Sequence, residues 1–273
     1  MVCDTHLPFE HGQIIMSIRN LSFSYGAKEV LHNVSLEITS GQLCGLLGPN
    51  GSGKTTLFKC CLGFLKPDSG EIRLGNTLLS NYSHKHLAAH VAYVPQDHQP
   101  AFPYLVREMV EMGRTPHRGM MPVLSRHDHK AVDHALERVG LRQLADERYN
   151  HLSGGQRQLV LVARALAQEA SLMFMDEPTS SLDFSNQLVV WETARALAAE
   201  GISVVICCHD PNHILWFCDN VAALKEGRLL AAGLVGSTIT RELLEELYNR
   251  NIHTEQVGSR TFIHPSFAYL TRC

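Results

Sequence analysis

Gly48-Pro49-Asn50-Gly51-Ser52-Gly53-Lys54-Thr55-Thr56 fits the pattern G-x-x-x-x-G-K-[ST], running from Gly48 through Gly53 and Lys54 to Thr55. Glycines let successive backbone N–H groups turn into one hollow that side chains would otherwise block. Lys54 adds a point charge for β- and γ-phosphates, and the Thr55 hydroxyl can ligate Mg²⁺. A helix starting here presents unpaired N–H groups and a positive dipole end to the same anion. The pattern predicts nucleoside triphosphate binding. Asp176-Glu177 follows the continuous apolar run Leu172-Met173-Phe174-Met175, and paired carboxylates at the end of a core strand are costly unless something uses them. Asp176 is assigned to Mg²⁺, directly or through water, and Glu177 to orienting and deprotonating the attacking water. Solvated turn carboxylates before Pro178 are the plainer alternative.

Elements must bring these groups together. Leu43 to Leu47 and Thr56 to Leu62 read as the strand and helix flanking the phosphate loop. Val91 to Val94 is a short strand, stopped at Pro95 and followed by Gln96. Val204 to Cys208 is a buried strand ending at His209, which either reaches the γ-phosphate and attacking water or caps the helix that Pro211 starts. Gly48, Gln96, Asp176 and His209 therefore sit at four strand ends, the edge where parallel sheets bind ligands. Leu152-Ser153-Gly154-Gly155-Gln156 opens a further helix with an apolar face through Leu159, Val162, Ala163 and Leu166. Ser153 suits an N-cap, so this helix start is either a second anion-facing end or only a well-capped one.

Residues 16 to 40 alternate like antiparallel strands, with a turn at Gly26 to Glu29. Tyr25 ends the first of them, as an adenine-stacking ring or an amphipathic surface tyrosine. A hairpin is expected around Gly75-Asn76 and another around Glu226-Gly227. From 97 to about 165 prolines and helical periodicity through Ala131, Ala135, Leu136, Val139 and Leu144 predict an inserted helical subdomain. Residues 240 to 249 form an amphipathic helix, and the end reads as a short extension with a turn at Ser259-Arg260.

Composition narrows the class. The 273 residues carry a net charge of −3 and no dense Lys/Arg tract, so no nucleic-acid partner is expected. No apolar run reaches the ~18 residues of a membrane span. Met1 to Ile15 has neither a basic n-region nor an apolar h-region, so no secretory signal is expected and the chain should be soluble and cytoplasmic by itself. Eight cysteines occur without C-x-x-C spacing; Cys60-Cys61 on a helix and Cys207-Cys208 in an apolar strand read as small buried hydrophobes, which fits a reducing compartment. Among sixteen histidines, His127-Asp128-His129 and His84-Lys85-His86 invite a metal reading, but no closed-site spacing accompanies them.

With the phosphate loop, Gln96, Leu152 to Gln156, Asp176-Glu177, Ser181-Leu182-Asp183 and His209 in order, the chain resembles the ATPase subunit of an ABC transporter from residue 16 to about 265. The resemblance implies an α/β P-loop NTPase fold: a mainly parallel core sheet, an N-terminal antiparallel β subdomain and an inserted helical subdomain. Its implied divisions are an extension at 1–15, the ATPase domain at 16–239 and a C-terminal helix and extension at 240–273. It implies adenine stacking for Tyr25, sensing of Mg²⁺ and nucleotide for Gln96, and a linking loop at Asp183. Ser153, Gly154, Gly155 and Gln156 would face the γ-phosphate held by a second copy. The implied cofactors are ATP and Mg²⁺. The implied partners are that second copy, two transmembrane permease subunits at the cytoplasmic face of the membrane and, indirectly, a substrate-binding protein.

Phe102-Pro103-Tyr104-Leu105-Val106 either lines the groove receiving a permease helix or packs within the helical subdomain. The stretch Val106 to His117, with Gly113-Arg114-Thr115-Pro116-His117, looks most like the ATPases of bacterial importers of iron-siderophores, haem or cobalamin, with molybdate relatives. Zinc or manganese importers and exporters remain alternatives. A non-transport ABC ATPase would carry a coiled-coil insertion, zinc modules or tandem cassettes, none of which is visible. Intact Lys54, Glu177 and His209 argue against a non-catalytic regulator. The departures are small: Thr55 replaces the commoner serine, and Ser181 an alanine.

Overall fold

The computed structural model describes residues 10–96, 102–118, 123–180, 182–258 and 260–265. Ser181, and the turn residue Ser259, lie outside them. The elements in chain order are β1 (Ile14–Tyr25), β2 (Lys28–Thr39), β3 (Leu43–Leu47), α1 (Lys54–Cys61), β4 (Ser69–Leu74), β5 (Thr77–Leu78), α2 (His84–His90), β6 (Val91–Val94) and α3 (Val106–Glu111). They continue with α4 (Arg126–Arg138), α5 (Gly154–Ala167), β7 (Leu172–Met175), α6 (Phe184–Ala199), β8 (Ser203–Cys208), α7 (Pro211–Phe217), β9 (Asn220–Lys225), β10 (Arg228–Leu234), α8 (Val235–Thr238), α9 (Arg241–Tyr248), β11 (Ile252–Val257) and β12 (Arg260–Pro265).

A six-stranded sheet in the order β10-β9-β3-β8-β7-β6 forms the middle layer, parallel except at its β10 edge. Its central strands β3, β8 and β7 are buried at every position because both faces are covered. Met173 and Met175 face one apolar cluster with Val106, Val132, Leu161 and Trp191, whereas Leu172 and Phe174 face the other with Ile18, Leu31 and Phe58. Period-two alternation thus serves two cores at once. The second cluster is roofed by the antiparallel sheet β2-β1-β4-β5.

Three features differ from the sequence expectations. Pairing of the first strand begins before residue 16: Gly12 N–H donates to Ser40 O and Ile14 pairs with Thr39. The helices α2 and α6 were not anticipated. The short C-terminal extension carries two strands not expected from the sequence, β11 and β12, paired as a hairpin against α7. Asn212 fixes it through Ile263, and Trp216 donates to Thr261 O. Among the described residues, no helix is long and apolar enough to cross a membrane.

Helices α3, α4 and α5 lie between β6 and β7 and are tied to one another by the 113–117 stretch. Arg114 is buried and bonds Asp128 (2.7 Å), Glu169 (2.7 Å) and the Ala167 carbonyl (2.6 Å). A ring nitrogen of His117 lies 2.7 Å from Gln168 O, and Gln168 in turn donates to Val91 O at 2.9 Å. The stretch is therefore a packing device. Asp128, read as a conceivable metal ligand, caps α4 with Ser125 and faces Arg114 instead. Among the described residues no group of three or more His, Cys, Asp and Glu is placed to hold a metal.

Burial opposes ionisation of Asp128, but hydrogen bonds from Ser125 and Arg114 outweigh it and hold the carboxyl well below its usual range. A depressed folded-state value contributes stability above the ordinary value of 3.8, lost as pH falls through the folded one. Asp128→Asn should therefore cost about 2 kcal/mol, the loss of a hydrogen bond to a charged partner. Thermal unfolding should drop by roughly 4–8 °C between about pH 5 and 8, with the gap closing only in stronger acid. An unchanged Tm at neutral pH would show that Arg114 does not depend on this carboxylate.

Candidate functional site

Four neighbouring parallel strands, β3, β8, β7 and β6, end on one edge of the central sheet. The residues that follow them are Gly48, His209, Asp176 and Pro95-Gln96. All four predicted strand ends are thus on one rim. The loop after β3 is held by steric necessity. A Cβ on Gly48 would meet Leu224 O at 2.3 Å and Ser52 Oγ at 2.7 Å. Gly53 caps α1 at φ 103, a left-handed value that favours glycine, and a Cβ there would meet Leu31 at 2.9 Å. Gly227 N–H donates to Ser52 O (2.9 Å) while Gly227 O accepts from His32 N–H (2.9 Å). The β9–β10 turn thereby pins the loop against β2, a support not visible in the local pattern.

Lys54 is buried, and its Nζ donates to Gly48 O (2.8 Å) and Pro49 O (3.2 Å), with Glu177 Oε1 at 3.6 Å. Gln96 Nε2 donates to Glu177 Oε2 at 3.2 Å and lies 3.5 Å from Ser180 Oγ. Glu177 adopts φ 45, uncommon for a residue with a Cβ, and its side chain is 16% exposed. Asp176 N–H donates to Val94 O, extending the β6–β7 pairing up to the rim. Burial pushes the Asp176 carboxyl above its usual range, and the Glu177 charge adds to this; Thr55, Cys207 and Tyr93 (3.4 Å) oppose it by hydrogen bonding. Tyr93 was not anticipated as a partner; its place on β6, beside β7, is the cue.

These residues fit a magnesium nucleotide. Ser52 Oγ is buried without a partner inside the loop, and only glycine can occupy Gly48 and Gly53 without collision or strain. Thr55 and Asp176 form a hard-oxygen pair, where burial makes a compensating cation electrostatically favourable. Pro49, Asn50, Gly51 and Thr56 complete the loop and the first turn of α1. His209 is exposed at the end of β8, with its carbonyl accepting from Tyr248 OH (2.9 Å). Tyr25 is 48% exposed at the end of β1, its ring edge-on to Phe23.

The Ser153–Gln156 group stands apart, at the start of α5. Ser153 accepts from Gln156 N–H, and Gln156 Oε1 accepts from Ser153 N–H, so the capping reading holds. Ser153 and Gly154 are exposed. Asp183 caps α6, accepting from Asn186 N–H (2.8 Å) and Asn186 Nδ2 (3.1 Å). That same Nδ2 would lie 2.8 Å from a Cβ on Gly155. Asn186 therefore joins two loops that the sequence left separate. Gln187 donates to Thr179 O and Leu182 O, bracing the turn between them.

The family model for the ABC transporter matches residues 31–180. Hemin import ATP-binding protein HmuV of Thermobifida fusca is 36% identical over 241 residues, 88% of this chain and 84% of its own length. An iron chelatin transport ATP-binding protein of Helicobacter pylori is 36% identical over 238 residues, 86% and 93% of the two chains. Among solved structures, a metal-chelate type ABC transporter in an inward-facing conformation superposes with TM-score 0.80 at 31% identity, covering 92% of this chain and 96% of its own. A dimeric bacterial ABC transporter cassette superposes with TM-score 0.71 at 27% identity, covering 81% and 98%. A pinned phosphate loop, a carboxylate pair on the neighbouring rim and this breadth of likeness lead to one conclusion: the chain belongs to the ABC transporter family, as an ATP-binding subunit that hydrolyses ATP to drive transport.

Proposed function

We propose that this chain is the motor of a bacterial importer for a metal chelate such as an iron-siderophore, haem or cobalamin. The names of the relatives, hemin import and iron chelatin transport, support that substrate class. The observation that carries the motor reading is the shared rim, with Gly48, Gln96, Asp176 and His209 after four adjacent strands and Lys54 and Glu177 meeting beside them. Lys54 and the loop N–H groups hold the β- and γ-phosphates, and Tyr25 stacks on the adenine. Glu177, kept in place by Gln96, takes the proton of the attacking water; His209 steadies the γ-phosphate. Thr55, Asp176 and Gln96 are the residues that would hold Mg²⁺, which would supply positive charge against that developing on the phosphate oxygens.

Ser153, Gly154, Gly155 and Gln156 are exposed or half-buried on a separate helix start, which suits contact with nucleotide on a second copy. The dimeric cassette among its structural neighbours supports the same arrangement. Two copies close over two ATP molecules, with Asp183 linking the sites, and part after hydrolysis. Phe102, 66% exposed with Tyr104 edge-on to it, marks the surface offered to two permease subunits at the cytoplasmic face. A substrate-binding protein acts through those subunits.

Light scattering on the Glu177→Gln chain tests the clamp. ATP with Mg²⁺ should double its mass in solution and ADP should not; a monomer in both would overturn the paired arrangement. Uptake of haem and iron-siderophores in cells lacking the gene tests the substrate class.

A further inference from the structure

Gln158 lies on the buried side of α5 and is 5% exposed. A buried primary amide is costly without partners, and this one donates from Nε2 to Pro95 O at 3.2 Å. Pro95 has no N–H, so β6 ends at Val94, whose carbonyl takes Asp176 N–H. The Pro95 carbonyl is thus the last main-chain acceptor before Gln96, whose side chain is bonded to Glu177 at 3.2 Å. Gln158 stands five residues after Ser153 on the same helix, about 7.5 Å along its axis. One rigid helix therefore carries an exposed capping box at one point and a tether to the Gln96 segment a turn and a half later.

We infer that Gln158 is a positioning residue: it couples the placement of the Ser153–Gln156 helix start to the placement of Gln96 against Glu177 within the same chain. The inference rests on the roles proposed above for Gln96 and Ser153–Gln156. Gln158 touches neither nucleotide nor Glu177. When α5 shifts as its exposed end meets a second copy's nucleotide, the Pro95 carbonyl follows and the Gln96 amide is re-aimed. The catalytic carboxylate then registers that the facing site is filled.

The test is a double-variant cycle on the full chain, measuring ATP affinity, kcat, KM and Tm. Gln158→Met keeps length and volume while removing the donor. It should lower kcat about tenfold, between the worth of one neutral hydrogen bond and the ~10²-fold cost of an ångström's misplacement. ATP affinity and KM should stay within about twofold. Combined with Gln96→Ala, it should add nothing beyond Gln96→Ala alone. Gln158→Asn, too short to reach Pro95, serves if the methionine variant folds poorly, and carries the same expectation. A normal kcat with only a lower Tm would overturn the inference, as would a loss that multiplies with that of Gln96→Ala. Normal turnover in Gln96→Ala itself would instead remove the proposed role of Gln96, and this inference with it.

Discussion

Glu177→Gln is expected to leave ATP affinity within about twofold and to lower turnover by about 10²–10⁴, the range for loss of a general base. The substitution is nearly isosteric. Its amide matches the carboxylate in size and keeps one acceptor for the donors Lys54 Nζ and Gln96 Nε2, but it cannot accept the proton of an attacking water. The backbone at 177 stays at φ 45 in either case, set by the end of β7 and the turn through Ser180, whose N–H donates to Glu177 O. Phosphate release measured beside nucleotide binding separates the two quantities. Turnover close to that of the parent would transfer the base to another group.

Lys54→Ala should act on binding itself. Losing a charged donor to phosphate costs about 1.5–3 kcal/mol, roughly 10–100-fold in Kd. The same change frees Gly48 O and Pro49 O, which Nζ now holds. Titration with ATP, run beside thermal unfolding without nucleotide, distinguishes the two effects. A lower Tm with unchanged affinity would make Lys54 a brace for its own loop and refute the cradle.

The rim was readable because its cues are local. Leu172 to Met175 is apolar at every position and stops at two carboxylates, and Ser153 followed by Gln156 is a capping box at its ordinary spacing. The helix α6 was legible too, since Val190, Ala194 and Leu197 recur at helical spacing behind the Asp183 cap. Phe184 and Val189 blur that stripe, because the first is 70% exposed and the second only half-buried. By contrast α2 buries Leu87 alone, and β11 buries only Ile252, so neither displays a period.

Partners distant in sequence were invisible for another reason. Gln158 meets a carbonyl 63 residues away, and Gly227 reaches the phosphate loop from the turn after β9, adjacent to β3 in the sheet but remote in the chain. A glutamine on a helix looks the same whether it faces water or a buried carbonyl. The run 113–117 shows the converse: its family likeness was plain, but only the packing reveals Arg114 binding two carboxylates.

Asn186 occupies the space into which a side chain at Gly155 would project, while tying down Asp183. A side chain at 155 would make the Asn186 amide swing aside, and with it would go the Nδ2 bond to Asp183, leaving the backbone N–H of 186 on that carboxylate. A change in one loop is thereby felt in the other through a single amide.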